Sequence, residues 1–156
     1  MACIKVEQDG KLFVNNDSSR VKLYSAVNTR NGIKKEERTE GRAFLYWSGI
    51  EINNEAEADI NGIEISGSER GIAVDSDGKL NVRDSIILHN KTGIHVFGEC
   101  QINSSEIIEN EEYGIKEEDG CRIQVVQSSL SNNTIDWYDD AEGPLSEEET
   151  AEKAGE

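Results

Sequence analysis

The chain has 156 residues, 35% hydrophobic and 6% aromatic, with 14 Gly, one Pro and a formal charge of −16. That length makes one domain, and the thin apolar content with abundant Gly suits a narrow, repetitive β core better than a helical bundle or a thick sandwich. An acidic surface repels phosphate backbones, and no apolar stretch approaches the roughly 20 residues that span a bilayer, so neither a nucleic-acid partner nor a membrane role is expected.

The opening MACIKVEQDG lacks the basic region and long apolar run of a signal peptide, so cytoplasmic synthesis with reduced cysteines is expected. Cys3, Cys100 and Cys121 form no CxxC motif and no His-Cys cluster, so no metal and no cofactor is expected. From Ile4 onward the stretch IKVEQDGKLFV (4–14) matches IAVDSDGKLNV (72–82) at seven positions. The offset of 68 reads as three turns of about 22.7 residues, which places the first repeat almost at Met1. An irregular coil is then expected over 24–48, with the charged KKEERTEG (34–41) as an insertion loop. Aligned by the repeat, Ala43 falls on an inward track, and the run Ala43-Phe44-Leu45-Tyr46-Trp47 holds more bulk than one such track accepts. Phe44, Tyr46 and Trp47 are therefore candidates for a partner-binding patch or a sugar-stacking platform, or else this turn packs its own loop.

From residue 49 the repeat is plain. Gly49-Ile50, Gly71-Ile72, Gly93-Ile94 and Gly114-Ile115 recur at spacings of 22, 22 and 21. The pairs Ala58/Ile60, Leu80/Val82, Cys100/Ile102 and Ile123/Val125 keep phase with them, as do Ile65, Ile87, Ile107 and Leu130. A polar track, Ser68, Asn90, Asn110 and Asn133, drifts by the same steps. Each period reads as three short strands with alternating inward residues. Asp-Gly turns at 9–10, 77–78 and 119–120 join the first strand to the second, the Gly supplying positive φ. Such a chain buries its strands by coiling, each turn hydrogen-bonded to the next about 4.8 Å away. Ile then stacks on Ile, and the Ser68–Asn133 track forms an amide ladder.

The pattern of Gly-Ile-x-Val followed by Ile-x-x-Asn-x-x-Gly-Ile, carried by Ile65–Val74, Ile87–Val96 and Ile107–Ile115, resembles the right-handed parallel β-helix of the pectin-lyase-like superfamily. It is nearest to the short repeats of carbohydrate-binding and sugar-hydrolase modules and of the periplasmic copper-insertion family. The resemblance implies an all-β, single-stranded right-handed parallel β-helix of about six coils over residues 1–138. Residues 139–156, rich in acids, are expected to form a disordered tail, with Trp137 and Tyr138 closing the column.

The resemblance also implies what an enzyme of this fold would carry. Asp75-Ser76-Asp77-Gly78 echoes a calcium-holding loop, but its counterpart Glu7-Gln8-Asp9-Gly10 marks it as turn chemistry. Of the superfamily hydrolase motifs, Arg122-Ile123-Gln124 is a poor echo and Gly-His-Gly is missing, while His89 and His95 have no nucleophile at a recurring spacing. No catalytic residue is assigned. The expected role is therefore a non-catalytic structural or protein-interaction module. Its settings are a homo-oligomer or a larger particle such as a viral or phage assembly. The alternative is a carbohydrate-binding or polysaccharide-processing protein, with a polysaccharide as its partner. The first rung, with Ile4, Val6 and Phe13, is the expected assembly edge, because strand residues there have no preceding turn to bond.

Overall fold

The computed structural model of the chain describes residues 2–16, 20–24 and 48–155. They form a parallel β-helix whose strands fall into three sheets. The first sheet stacks β1 (Ala2–Val6), β4 (Ser48–Ile52), β7 (Arg70–Val74), β10 (Thr92–Val96), β13 (Tyr113–Glu117) and β16 (Ile135–Asp139) in that order. The second stacks β2 (Lys11–Asn15), β5 (Glu57–Asn61), β8 (Lys79–Arg83), β11 (Glu99–Asn103) and β14 (Arg122–Val126). The third stacks β3 (Val21–Tyr24), β6 (Ile63–Ser66), β9 (Ile86–Leu88), β12 (Glu106–Ile108) and β15 (Ser129–Ser131). Among the described residues five coils are complete and β16 opens another, slightly fewer than the six expected.

The missing coil has a definite origin. Ala2 pairs with Ser48 and Ile4 with Ile50, so β1 lies directly on β4 and no coil intervenes. The offset of 68 between the matched stretches is thus two rungs, because Ile50 in turn pairs with Ile72. Ala2 and Ser48 are 46 residues apart where Ser48 and Arg70 are 22, an excess of about one period, which a phase count reads as a further turn.

Alternation sends Ile50, Ile72, Ile94 and Ile115 inward to form one fully buried column, with Ile65, Ile87 and Ile107 forming another. The Gly before each Ile of the first column answers a steric demand. A Cβ on Gly71 would lie 2.6 Å from the Gly93 carbonyl oxygen, and one on Gly93 2.5 Å from that of Gly114. Turn chemistry differs in detail from the expectation. At the first Asp-Gly turn Asp9 itself carries the positive φ of 59°, while Gly10 is required because a Cβ would meet the Glu7 carbonyl oxygen at 2.7 Å. Only at the last Asp-Gly does the Gly take the left-handed conformation, Gly120 at φ 80°.

Two further left-handed columns mark the corners around the third sheet. Gly62, Asp84, Ser104 and Gln127 form one, and Gly67, His89, Glu109 and Asn132 the other. Behind the first column runs a serine ladder. Ser85 accepts from Ile63 N, Ser105 from Ser85 N and Ser128 from Ser105 N, at 3.1–3.2 Å. Each serine hydroxyl donates in turn to the carbonyl two residues earlier. Since non-Gly residues are strained in the left-handed region, replacing the exposed Ser104 (φ 47°) by Gly is expected to stabilise the fold by about 0.5–1 kcal/mol. A urea melt checks this, and an unchanged or lower midpoint would show that the corner is unstrained.

Candidate interaction surfaces at the two ends of the coil

The amide ladder runs along the corner between the third and first sheets, from Ser68 on the second coil onward. Ser68 donates its hydroxyl to Asn90 Oδ1 (2.7 Å), Asn90 Nδ2 donates to Asn110 Oδ1 (3.2 Å), and Asn110 Nδ2 to Asn133 Oδ1 (2.8 Å). Asp136 receives the last amide at 2.8 Å and ends the column. These residues are spent on holding coil to coil, and three of the four are buried.

Chemistry on the lateral faces is sparse among the described residues. Burial pushes the Cys100 thiol up, and burial followed by the Glu117 carboxylate pushes Cys121 up to about 12, so both stay protonated and poorly nucleophilic near neutrality. No group of three His, Cys, Asp or Glu side chains is placed to hold a metal ion among the described residues. The Asp75–Gly78 segment closes a turn, with Gly78 N donating to the Asp75 carbonyl at 2.8 Å. Over the second sheet lies an open groove of about 480 Å³, whose lining includes Leu12, Phe13, Asp59, Asn81 and Gln101.

One lateral pair is poised for pH. His95 on β10 donates from Nε2 to Glu118 Oε1 (2.6 Å) and stacks on Phe97 with ring centroids 4.5 Å apart. Burial holds His95 below its ordinary value, outweighing the pull of Glu118, with Lys116 and Arg70 adding to the depression. The hydrogen bond from His95 holds Glu118 below its own ordinary value. A histidine with a lowered folded-state value binds fewer protons folded than unfolded. Its contribution is therefore fully present above pH 6.5 and is lost as the pH falls below it. Wild type is expected to lose more stability than His95→Gln between pH 7.5 and 5.5, compared by chemical denaturation. Parallel pH profiles for the two proteins would remove His95 as the cause.

The C-terminal end is closed over the first sheet, while β14 and β15 end the other two. Of residues 139–156, expected to be disordered, 143–144 instead pair as β17 (Gly143–Pro144), antiparallel to β16, and 147–153 form helix α1 (Glu147–Lys153). Composition misled here because the acids are spent on local structure. Ser146 and Glu149 make a reciprocal capping box, and Glu147, Glu148 and Glu149 sit in the first turn, where the helix dipole favours negative charge. Thr150 and Ala154 are buried against the column, and the Ala154 carbonyl accepts from Ser128 N, the last rung of the serine ladder.

An acidic pair stands beneath the helix. Glu117 and Asp139 occupy the inward track of Ile52, Val74 and Val96. Lys153 answers both, at 3.4 Å from Glu117 Oε2 and 3.5 Å from Asp139 Oδ2, and lies 4.9 Å over the Trp137 ring. Trp137, 2% exposed, does plug the column, donating Nε1 to Glu117 (2.7 Å), and Leu145 packs on the same core. Tyr138 is instead outward, its ring 5.4 Å from Tyr113.

The N-terminal end is different. No described strand precedes β1, β2 or β3 in any of the three sheets. Ile4, Leu12, Val14 and Leu23 are only half-buried, while their partners one coil on, Ile50, Ala58, Ile60 and Ile65, are at most 4% exposed. Val6 is buried at 6%, and Phe13 points outward with 71% of its surface in solvent. The rung thus brings Ile4 and Val6 together on the inward side and leaves Phe13 on the outer face. Phe44, Tyr46 and Trp47 lie outside the described residues. The serine ladder and the Glu117–Asp139–Lys153 lock escaped the sequence reading. Their signals were Ser at matching steps of 20 and 23, and acids breaking an aliphatic track.

No curated protein and no solved structure matches the chain. The family model described as a right handed beta helix region matches residues 2–143, which takes in all the described coil strands from β1 to β16, so the chain belongs to the right-handed β-helix family.

Proposed function

We propose that this β-helix is a non-catalytic structural and protein-interaction module whose N-terminal coil is its docking surface, in a homo-oligomer or a larger particle. The contrast between the ends carries this reading. One end spends a strand, a capped helix, an indole and a lysine on closure. The other presents three edge strands beside half-buried aliphatics among the described residues. Edge strands next to apolar surface are templates for pairing with another chain. Amide hydrogen exchange on the dilute chain tests it. The amides of β1, β2 and β3 are expected to exchange far faster than those of β7, β8 and β9. Equal protection would mean that the end is already covered by its own chain.

A second reading is favoured by the groove over the second sheet, where the polar column Asp59, Asn81 and Gln101 runs beside the exposed Phe13 ring. Polar groups at coil spacing beside an aromatic face suit a polysaccharide lying along the axis. A glycan array with product detection, repeated on Phe13→Ala, decides it. Binding lost in the variant supports sugar recognition, and new reducing ends or double bonds would make the protein an enzyme.

A further inference from the structure

We propose that the partner of the open end is a second copy of this chain, the two meeting N-terminal end to N-terminal end in a closed two-fold dimer. The inference rests on the docking reading above and adds the occupant and the symmetry.

The C-terminal end makes the head-to-tail alternative the poorer one. A copy approaching there finds the edge of β16 taken by β17, Ser128 N taken by the Ala154 carbonyl, and the apolar floor covered by Trp137, Leu145 and Ala154. Backbone bonds are left to it only along β14 and β15, which end the second and third sheets. Among the described residues each N-terminal end brings open strands, so the same surface serves both partners and the assembly stops at two. A two-fold axis across the coil reverses strand direction, so the strands meet antiparallel, a pairing at least as good as the parallel one inside the column. With the axis through β1, that strand meets its own mate, and β2 (five residues) meets β3 (four residues) of the other copy. Ile4, Leu12, Val14 and Leu23 would then lose the exposure that separates them from the next coil.

Charge points the same way. Residues 1–24 hold four basic and three acidic side chains, whereas 113–156 hold three basic and twelve acidic. Two C-terminal ends therefore repel, and two N-terminal ends do not. The lysines around the open rung are already engaged, Lys5 with Glu7, Lys11 with Glu57 and Lys22 with Glu64, so they bring little like charge to the contact. The end of one coil is a small face, so association should depend on concentration.

The test is mass against concentration by sedimentation for the full chain, with amide exchange measured at both extremes. The variant is Val6→Lys/Phe13→Lys, with Phe13→Lys alone as the version that leaves the buried side chains untouched. A monomer–dimer equilibrium is expected. In the dimer, β1–β3 amides should slow at least tenfold while β16 and α1 do not change, and both variants should shift the equilibrium toward monomer. A dimer whose added protection lies on β16, α1 or the lateral faces overturns the proposal. A chain monomeric at high concentration with fast-exchanging β1–β3 amides also overturns it, while leaving the end open for a different partner. Monomer with slow β1–β3 amides removes both this proposal and the docking reading.

Discussion

Asn110→Leu is expected to lower the unfolding free energy by about 3 kcal/mol, because the leucine fits the volume and satisfies none of the bonds. Asn110 is 2% exposed. Its Oδ1 accepts from both Asn90 N (3.1 Å) and Asn90 Nδ2 (3.2 Å). Its Nδ2 donates to the Ile87 carbonyl (3.2 Å) and to Asn133 Oδ1 (2.8 Å). The substitution strands two donors on the coil before it, and a carbonyl there loses its amide partner. Each group left buried without a partner costs about 1–3 kcal/mol, and some relief comes from shifts of the neighbouring coils. Asn133→Leu should cost less, because Asn133 is only half-buried and nearer the end of its column. Urea unfolding of the two variants gives the comparison. Loss below about 1 kcal/mol for Asn110→Leu would mean that stacked aliphatics alone hold the coils in register.

How much of this was legible depended on whether a residue's role repeats. Inward isoleucines, the Gly before each, and the Asn column recur because every coil poses the same packing problem, and one sequence displays the answer several times over. Features used once have no such echo. The segment between β3 and β4 is invisible to a count by phase, since β1 to β4 spans 46 residues where later rungs take 22, and an excess near one period leaves every later track in step. That accounts for the coil too many. The C-terminal closure failed for a different reason. Its acids looked like a solvated tail because composition ignores position, yet Ser146-Glu147-Glu148-Glu149 is a capping box read in order, and Lys153 is the one cation available after Trp137. Glu117 and Asp139 were visible as acids on an aliphatic track. Without knowing that a helix would bring Lys153 over them, nothing marked them as a lock rather than as the end of the repeat.

Gly93→Ala should be at least as damaging as the loss of the amide, at about 3 kcal/mol or more, because backbone rather than side chain must move. An added Cβ would stand 2.5 Å from the Gly114 carbonyl oxygen, with Asn110 Nδ2 and Ile107 Cγ2 both at 3.0 Å. The carbonyl belongs to the next coil and cannot rotate away without breaking the parallel ladder between β10 and β13. Helix or strand propensity would rank Ala as harmless or better here, so steric and propensity arguments make opposite predictions at this position. The damage should also spread. Pushing β13 away from β10 lengthens the Asn90–Asn110 contact at the adjoining corner, so the effects of Gly93→Ala and Asn110→Leu should not add. A double-mutant cycle, with unfolding followed in urea, reads this directly. A double variant that loses the sum of the two single effects would show that the glycine column and the amide ladder hold the coils independently. A double variant close to the worse single one would show that both act at the same junction between coils.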